Sequence, residues 1–483
     1  MVDFSKYQAP GLYTEAVPGP QLSVQSTTPT AVGVFGTTVG YRQQTESLVI
    51  DPDIQQEDTT FLPATNRTLR EAGIRPDTVV VRNASSGEEY VLNTDYTVFL
   101  VSGGASSQST RDDLYTIKRV IDGGHIDQGD TVEVSYNYTD EDYFKAKTFY
   151  DYDDVRDQYG KPFDALGNIQ SELSLAVSIA FQNGASVVVT AAVDPVDRAN
   201  PTLADYIGAL DTLRDQSDIS VIVPATGVQT IQSAVVTHVN QQSGNRYERR
   251  AIIGRDGSGT AVSSAQLIAD AHAIGSNRIA LVSPAQLKYF APELDKEIII
   301  GGQYLAAAAA GVSVSQGASM PLTRRTVRGF VDVATTISEA QRNLESQNGL
   351  AVVEKTRRGG MQIRHGVTTD TTDVLSREWN VTGQQDAMVY RLREYLDNDR
   401  LIGNTIDELT MTNVKASADA ALQALVQDRV IQDYAELKVR QLNTSPDVIE
   451  IRFAWKPSLP LNYIVVRYSV SITSGDSTAL QSV

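Results

Sequence analysis

Between about Lys161 and Leu322 the sequence alternates two kinds of segment. Short runs are apolar at nearly every position: Ser186 to Thr190, Ile219 to Val223, Ala251 to Ile253 and Ile279 to Val282. Longer runs between them are apolar along one stripe only. Thr202 to Asp215 carries Leu203, Tyr206, Ile207, Leu210 and Leu213 at helical spacing, and Gln229 to Asn240 and Ala265 to Ala273 follow the same rule. A strand with no polar face has to be covered on both faces, and intervening helices supply the crossovers that parallel pairing needs. The pattern therefore predicts a central α/β domain over 161–322 with a mostly parallel sheet between helical layers.

The chain has 483 residues, enough for about three domains at ~150 residues each. Residues 1–40 are predicted to be an extended arm and a first core strand. Pro18, Pro20 and Pro29 exclude a helix, and Ala31 to Phe35 reads as a strand closed by Gly36. Residues 41–160 are polar and β-rich. Thr78–Val81, Glu89–Leu92, Tyr96–Val101 and Thr131–Tyr136 are predicted strands, separated by Asn/Asp/Gly/Ser clusters as in a small barrel or sandwich. Residues 323–460 read as an α+β domain. It has predicted helices over Asp386–Arg400 (Met388, Val389, Leu392, Tyr395 and Leu396 inward) and Ala416–Leu442 (Leu422, Leu425, Val430, Tyr434 and Leu437), the second ended by Asn443 and Pro446. Two alternating strands follow, Ile449 to Trp455 and, in the terminal segment 461–483, Ile464 to Ile472. The whole is an α+β multidomain chain.

Composition removes several classes of function. Without cysteine there is no disulfide, thiolate nucleophile, zinc finger or iron–sulfur ligation. A net charge of −18 argues against general nucleic-acid binding, which needs a basic footprint. The first twenty residues mix Asp3, Lys6 and Glu15 with prolines and do not resemble a signal peptide. The blandest stretch, Leu305 to Gly311, is far short of the roughly 20 residues a membrane span requires.

The motifs that suggest chemistry each have a plainer reading. Gly254-Arg255-Asp256-Gly257-Ser258-Gly259-Thr260 follows a strand and precedes a helix, where α/β folds cradle phosphates. Its spacing matches neither glycine-rich fingerprint and no lysine follows the glycines, so a tight strand-to-helix turn with Thr260 as helix cap is the better reading. That loop is the basis of an alternative reading as an α/β enzyme for a phosphorylated ligand. His125, His238, His272 and His365 show no metal or nucleophile spacing and read as surface or core residues. The acidic stretch from Asp140 to Asp157 lacks a calcium-loop pattern and reads as a solvated face. The segment from Pro321 to Gly366 holds eight cations against four acids. Internal ion pairing and docking to an acidic protein surface both account for it, better than nucleic acid does. The two chain ends are the least ordinary feature. Leu12, Tyr13 and Val17 make the N-terminal arm apolar enough to pack on something, and Ile464, Val466, Tyr468, Val470 and Ile472 share one face of an almost uncharged strand. Such a strand left at an edge invites pairing with another molecule; the alternative is a last strand tucked into its own domain.

These residues also carry a resemblance. Pro10-Gly11-Leu12-Tyr13-Thr14-Glu15, the segment Thr30 to Thr37, Ile252 to Gly257, Trp379-Asn380-Val381, the helix from Tyr390 to Leu396 and the closing strands resemble, in this order, the contractile-tail sheath proteins. The resemblance covers 9–40 and 161–472 and leaves out 41–159, the variable outward insertion of that family. It implies a subtilisin-like central fold with no catalytic triad, no enzyme activity and no cofactor. It implies subunits stacked as rings around an inner tube in a phage tail, with the tube, baseplate and tail terminator proteins as partners, no membrane insertion and no direct nucleic acid contact. Assembly would take place in the bacterial host cytoplasm. Terminal strands would be exchanged between neighbours. Arg324, Arg325, Arg357, Arg358, Lys438 and Arg440 are the candidate cations for docking to the tube or a neighbour. Another lattice-forming surface protein would share the adhesive ends without needing a tube.

Overall fold

The computed structural model describes residues 29–50, 69–102, 114–120, 123–127, 129–139, 141–195, 200–317, 320–397 and 401–468. The first element, β1 (Ala31–Gly36), is buried at every position. The chain then leaves the main body and builds β2 (Arg42–Val49), β3 (Val80–Asn83), β4 (Tyr96–Ser102), β5 (Leu114–Arg119) and β6 (Thr131–Tyr138). These form a β2-β6-β3 sheet and a β4-β5 hairpin. Strict alternation in β6 turns Val132, Val134, Tyr136 and Tyr138 onto a separate core with Val81 and Ile117. The expected strand over Glu89–Leu92 does not form: a turn at Asn93 (φ 64°) ends it early, and Val91 and Leu92 are exposed.

From β7 (Lys147–Phe149) onward the chain follows the alternation read from sequence. The elements are α1 (Tyr152–Tyr159), α2 (Glu172–Gln182), β8 (Val188–Ala192), α3 (Leu203–Thr212), β9 (Ile219–Pro224), α4 (Gln229–Gly244), β10 (Arg250–Gly254), α5 (Ser264–Ile274) and β11 (Ile279–Ser283). Next come β12 (Gln286–Ala291), β13 (Lys296–Gly301), α6 (Gly302–Gln316), β14 (Thr326–Val327), β15 (Phe330–Val333), α7 (Glu339–Gln347), β16 (Leu350–Lys355) and β17 (Met361–Ile363). Nine strands make one sheet in the order β14-β17-β16-β11-β10-β9-β1-β8-β7. The six strands from β16 to β8 are parallel, and the edges close antiparallel. β1 lies between β8 and β9, so a strand near the start of the chain is central to the core. Because β14, β16 and β17 join this sheet, the expected division at 322/323 falls within it, as 160/161 falls between β7 and β8.

Both faces of the sheet are buried. Val32, Val221 and Ile252 meet α2 and α6 on one side; Phe35, Ile222 and Ile253 meet α3, α4 and α5 on the other. Helix α6 is apolar all round because it is enclosed. Its run Ala306–Ala310 is buried, and small side chains let it lie close to α2 and the sheet. Gly311 marks a close approach of α6 to α2, where a Cβ would press on the Ala180 carbonyl oxygen. Thr202, Ser263 and Ser338 cap α3, α5 and α7 in reciprocal capping boxes. The α5 cap is thus Ser263, not Thr260.

The closing region contains α8 (Val374–Arg377), α9 (Trp379–Leu396), α10 (Glu408–Gln427), β18 (Ile431–Leu442) and β19 (Ser445–Pro457). α9 begins seven residues before the expected start at Asp386. The expected helix over Ala416–Leu442 is corrected: α10 ends at Gln427, and 431–442 is a strand. Asn443 and Thr444 are the hairpin turn rather than a helix stop. Irregularities in the β18–β19 register at Ile431/Asp433 and Ala435/Lys438 explain the misreading. Bulged residues put Ile431, Tyr434 and Leu437 on the packed side at intervals of three, which imitates a helical stripe.

Candidate assembly surfaces

The β18–β19 hairpin is 12 and 13 residues long, about 40 Å, and no third strand pairs with it among the described residues. One face packs on α9 and α10. Met388, Leu422, Leu425 and Ile431 are buried there, with Leu437, Phe453 and Trp455 against them. The Tyr434 hydroxyl donates to Asp419 (2.6 Å), fixing the hairpin to α10. Two unpaired strand edges of this length offer a full ladder of backbone donors and acceptors to another chain.

Beyond β19 the chain carries apolar side chains into solvent. Tyr463, Ile464, Val466 and Tyr468 are each at least 76% exposed. The expected strand over Ile464–Ile472 is not formed within 464–468, which has no regular structure. Among the described residues no strand pairs with this segment, so it has no ladder of backbone bonds. Val470 and Ile472 lie outside the described residues, as do Leu12, Tyr13 and Val17.

The basic run divides. Arg342 and Arg364 are bound by Glu339 and Glu354, and Lys355 by Asp332 (2.7 Å). Of the docking candidates in it, Arg325 donates to the Pro321 carbonyl (3.2 Å). Arg324 is exposed at a positive φ of 64° beside β14. Arg357 and Arg358 are exposed in the turn joining β16 to β17. Because β14 pairs with β17, these four arginines sit along one end of the large sheet. Lys438 and Arg440 are elsewhere, on β18 rather than near a helix end. Arg440 is held by Glu450 (2.7 Å), while Lys438 faces Arg452 across the hairpin.

The loop after β10 is a closed turn. The Gly257 amide donates to the Ala285 carbonyl (3.0 Å), the Ser258 amide to Asp256 (2.8 Å), and Arg255 pairs with Asp270 (2.9 Å). The Gly257 and Ser258 amides are thus used within the chain, and the N-terminus of α5 is already capped by Ser263. His238 accepts from Arg249 (3.2 Å), and His365 meets Glu378 (3.0 Å). Burial, and then the Arg249 charge, push His238 down to about 4. The acidic stretch is a solvated face with local partners, as read from the sequence: Asp151 caps α1, Asp142 pairs with Lys145 (2.5 Å) and Asp153 with Arg156 (3.0 Å), and Asp142 and Asp153 are 65% and 78% exposed.

Sequence reasoning missed the polar ties around α9. Arg278 holds Asp386 with two hydrogen bonds (3.0 and 2.9 Å), Arg250 stacks on the Trp379 ring (4.3 Å), and Arg393 grips Glu248. Pairs this far apart in sequence leave no local pattern.

This fold, a large mixed sheet with a helical closing region and a long hairpin, is that of contractile sheaths. The chain matches the contracted helical sheath of the anti-feeding prophage with a TM-score of 0.52 at 16% identity, covering 67% of this chain and 88% of that one. It matches the contracted sheath of the extracellular contractile injection system PVC with a TM-score of 0.52 at 13% identity, over 69% of this chain and 89% of that one. Residues 199–369 match the phage tail sheath protein central domain. The tail sheath protein of Mycobacterium phage Bxz1 is 44% identical over 99% of this chain and 98% of its own length. The chain therefore belongs to the phage tail sheath proteins, structural components of contractile tails.

Proposed function

We propose that neighbouring subunits of this sheath are linked by exchange of their terminal arms, which add strands to the open edges of the β18–β19 hairpin. The observation that carries this reading is the pairing of a long, two-edged hairpin with a chain end whose apolar residues Ile464, Val466 and Tyr468 are exposed. A strand of Ile464, Val466, Tyr468, Val470 and Ile472 supplies four to six backbone hydrogen bonds, each contributing roughly 0.5–1.5 kcal/mol net. Leu12, Tyr13 and Val17 serve the N-terminal arm in the same way. Exchanged arms would keep these bonds while the subunit bodies rotate, so the lattice rearranges without falling apart.

On this reading the subunits form stacked rings around an inner tube and drive it through the target envelope on contraction, the stored energy residing in the difference between two packings. Tube, baseplate and terminator proteins are the partners, assembly takes place in the host cytoplasm, and neither cofactor nor catalysis is required. The division of labour follows the chain: 1–40 and 461–483 link subunits, 41–160 faces outward, 161–322 forms the subtilisin-like body and 323–460 faces the tube. Arg324, Arg325, Arg357, Arg358, Lys438 and Arg440 are the cations proposed for docking. Negative-stain electron microscopy tests the linkage: hollow tubes from the intact chain, lost on truncation after Leu461, support it. Tubes that persist after truncation refute the role of the C-terminal strand.

A further inference from the structure

Where α9 meets the large sheet, two arginines share one carboxylate. Asp386 of α9 accepts two hydrogen bonds from Arg278 (3.0 and 2.9 Å). Arg250 of β10 stands 3.9 Å from the same carboxylate, out of hydrogen-bond reach. It is only 6% exposed. It stacks on the Trp379 ring (4.3 Å) and donates to the Trp379 carbonyl (3.0 Å). Its remaining N–H groups have no acceptor among the described residues. Burial pushes this guanidinium down to about 10, against the pull of Asp386 and aided by Arg278. It is therefore still a cation at neutral pH, and a buried cation without a counter-ion of its own is costly.

The same guanidinium lines a cavity of about 200 Å³, bounded also by Pro29 and Thr30 before β1, Ser313 of α6 and Tyr390 of α9. One water needs roughly 10–15 Å³, so the space admits a small polyatomic ligand. Thr30 is exposed, so the cavity is reached from solvent beside β1. Ser313 adds a second donor: its hydroxyl accepts from the Trp379 indole (2.9 Å), which leaves its own proton to give. The carboxylates on the wall are committed, Asp386 to Arg278 and Glu248 to Arg393. Arg391, also on the wall, is held by Asp428 (3.0 Å). The unused donors and the unbalanced charge belong to Arg250.

We propose that this cavity binds a small oxyanion, of the phosphate or carboxylate class, on the Arg250 guanidinium and the Ser313 hydroxyl. A planar fork of N–H donors matches two oxygens of such an ion. The ion supplies the counter-charge that Asp386 gives mainly to Arg278. Lying among β10, α6, α9 and the start of β1, it ties the closing region to the sheet. α9 also receives the chain after β19, where Gln384 clasps Ser458, donating to its carbonyl (2.9 Å) and accepting from its amide (2.8 Å). The site belongs to a single subunit and does not depend on strand exchange.

Inorganic phosphate and acetate are the probes, and Trp379, which touches both Arg250 and Ser313, is the reporter. The chain has two tryptophans, so Trp455→Phe leaves Trp379 as the sole emitter. At fixed pH and ionic strength, with sodium chloride as the control, the oxyanion should change Trp379 emission saturably and raise the melting temperature of the full-length chain. Saturable binding of either ion supports the site, and the tighter of the two identifies its class. Arg250→Lys, which keeps a charge and loses the fork, should weaken binding about tenfold. If that variant does not fold, Thr30→Glu, which sets a carboxylate at the mouth, should weaken binding about fivefold. A response that chloride reproduces, no saturation by either ion, or an affinity unchanged in a folded Arg250 or Thr30 variant overturns the proposal.

Discussion

Arg278 grips Asp386 through both terminal nitrogens, at 3.0 and 2.9 Å, across the junction between the parallel sheet and α9. Their side chains are 17% and 11% exposed, so removing one partner strands a charge in a place water barely reaches. Arg278→Ala or Asp386→Ala alone should each cost about 3–5 kcal/mol, the range for breaking a buried pair. The double variant should cost less than the sum, because neither member of this pair is left facing an empty site, although Arg250, 3.9 Å from Asp386, still loses its carboxylate. Urea unfolding of the four proteins closes that cycle, and additive losses would mean that the two residues do not act as a pair.

His238 gives a pH dependence with a defined sign. Held near 4 when folded and close to its ordinary 6.5 when unfolded, it binds its proton more readily in the unfolded chain. Its contribution to stability is complete above pH 6.5 and is lost as pH falls toward 4. The full span is roughly 3 kcal/mol at 1.36 kcal/mol per pH unit. His238→Gln keeps an acceptor for Arg249 and removes the titration. Its stability relative to the parent should therefore improve on going from pH 7 to pH 4, and parallel stability–pH curves for the two would refute the assignment.

Gly311 sets two effects against each other. Alanine in its place gains about 0.8–1.0 kcal/mol of helix propensity. The new Cβ, however, presses on the Ala180 carbonyl and lies 3.1 Å from the Asn183 Cβ, both parts of a packed interior. Overpacking of this kind costs about 1–3 kcal/mol, so Gly311→Ala should be net destabilising. A raised melting temperature would show that α2 and α6 can move apart.

The sequence made the central sheet legible because burial on two faces leaves unbroken apolar runs, and β8 to β11 follow them. It made β1 legible for the same reason, though not its place between β8 and β9, since strand order has no local signature. The closing region was harder. Bulges spaced Tyr434 and Leu437 like helical neighbours, and only the two-residue turn at Asn443 and Thr444 separates that stripe from its partner strand. Of the candidate assembly residues, exposed apolar positions such as Ile464 and Tyr468 could be read directly. The clasp of Gln384 on Ser458 could not, because 74 residues separate its halves.

Lys438 offers the sharpest test of docking through the hairpin. Its cross-strand neighbour is Arg452, so two cations stand opposite each other, an arrangement that disfavours the isolated hairpin. Lys438→Glu replaces that repulsion with an opposite-charge pair and should leave the subunit equally stable or more so, by about 0.2–1 kcal/mol. If the exposed cation meets an acidic tube, the same substitution should slow assembly on tubes and lower its yield, most strongly at low salt. Arg440→Glu tests the site less cleanly, because Glu450 already binds Arg440 at 2.7 Å and the change sets two acids together. Melting temperature and tube-dependent sheath yield, measured side by side for Lys438→Glu, separate the two effects. A subunit that melts no lower yet fails on tubes supports docking through β18, whereas full yield on tubes moves the contact to the four arginines at the end of the large sheet.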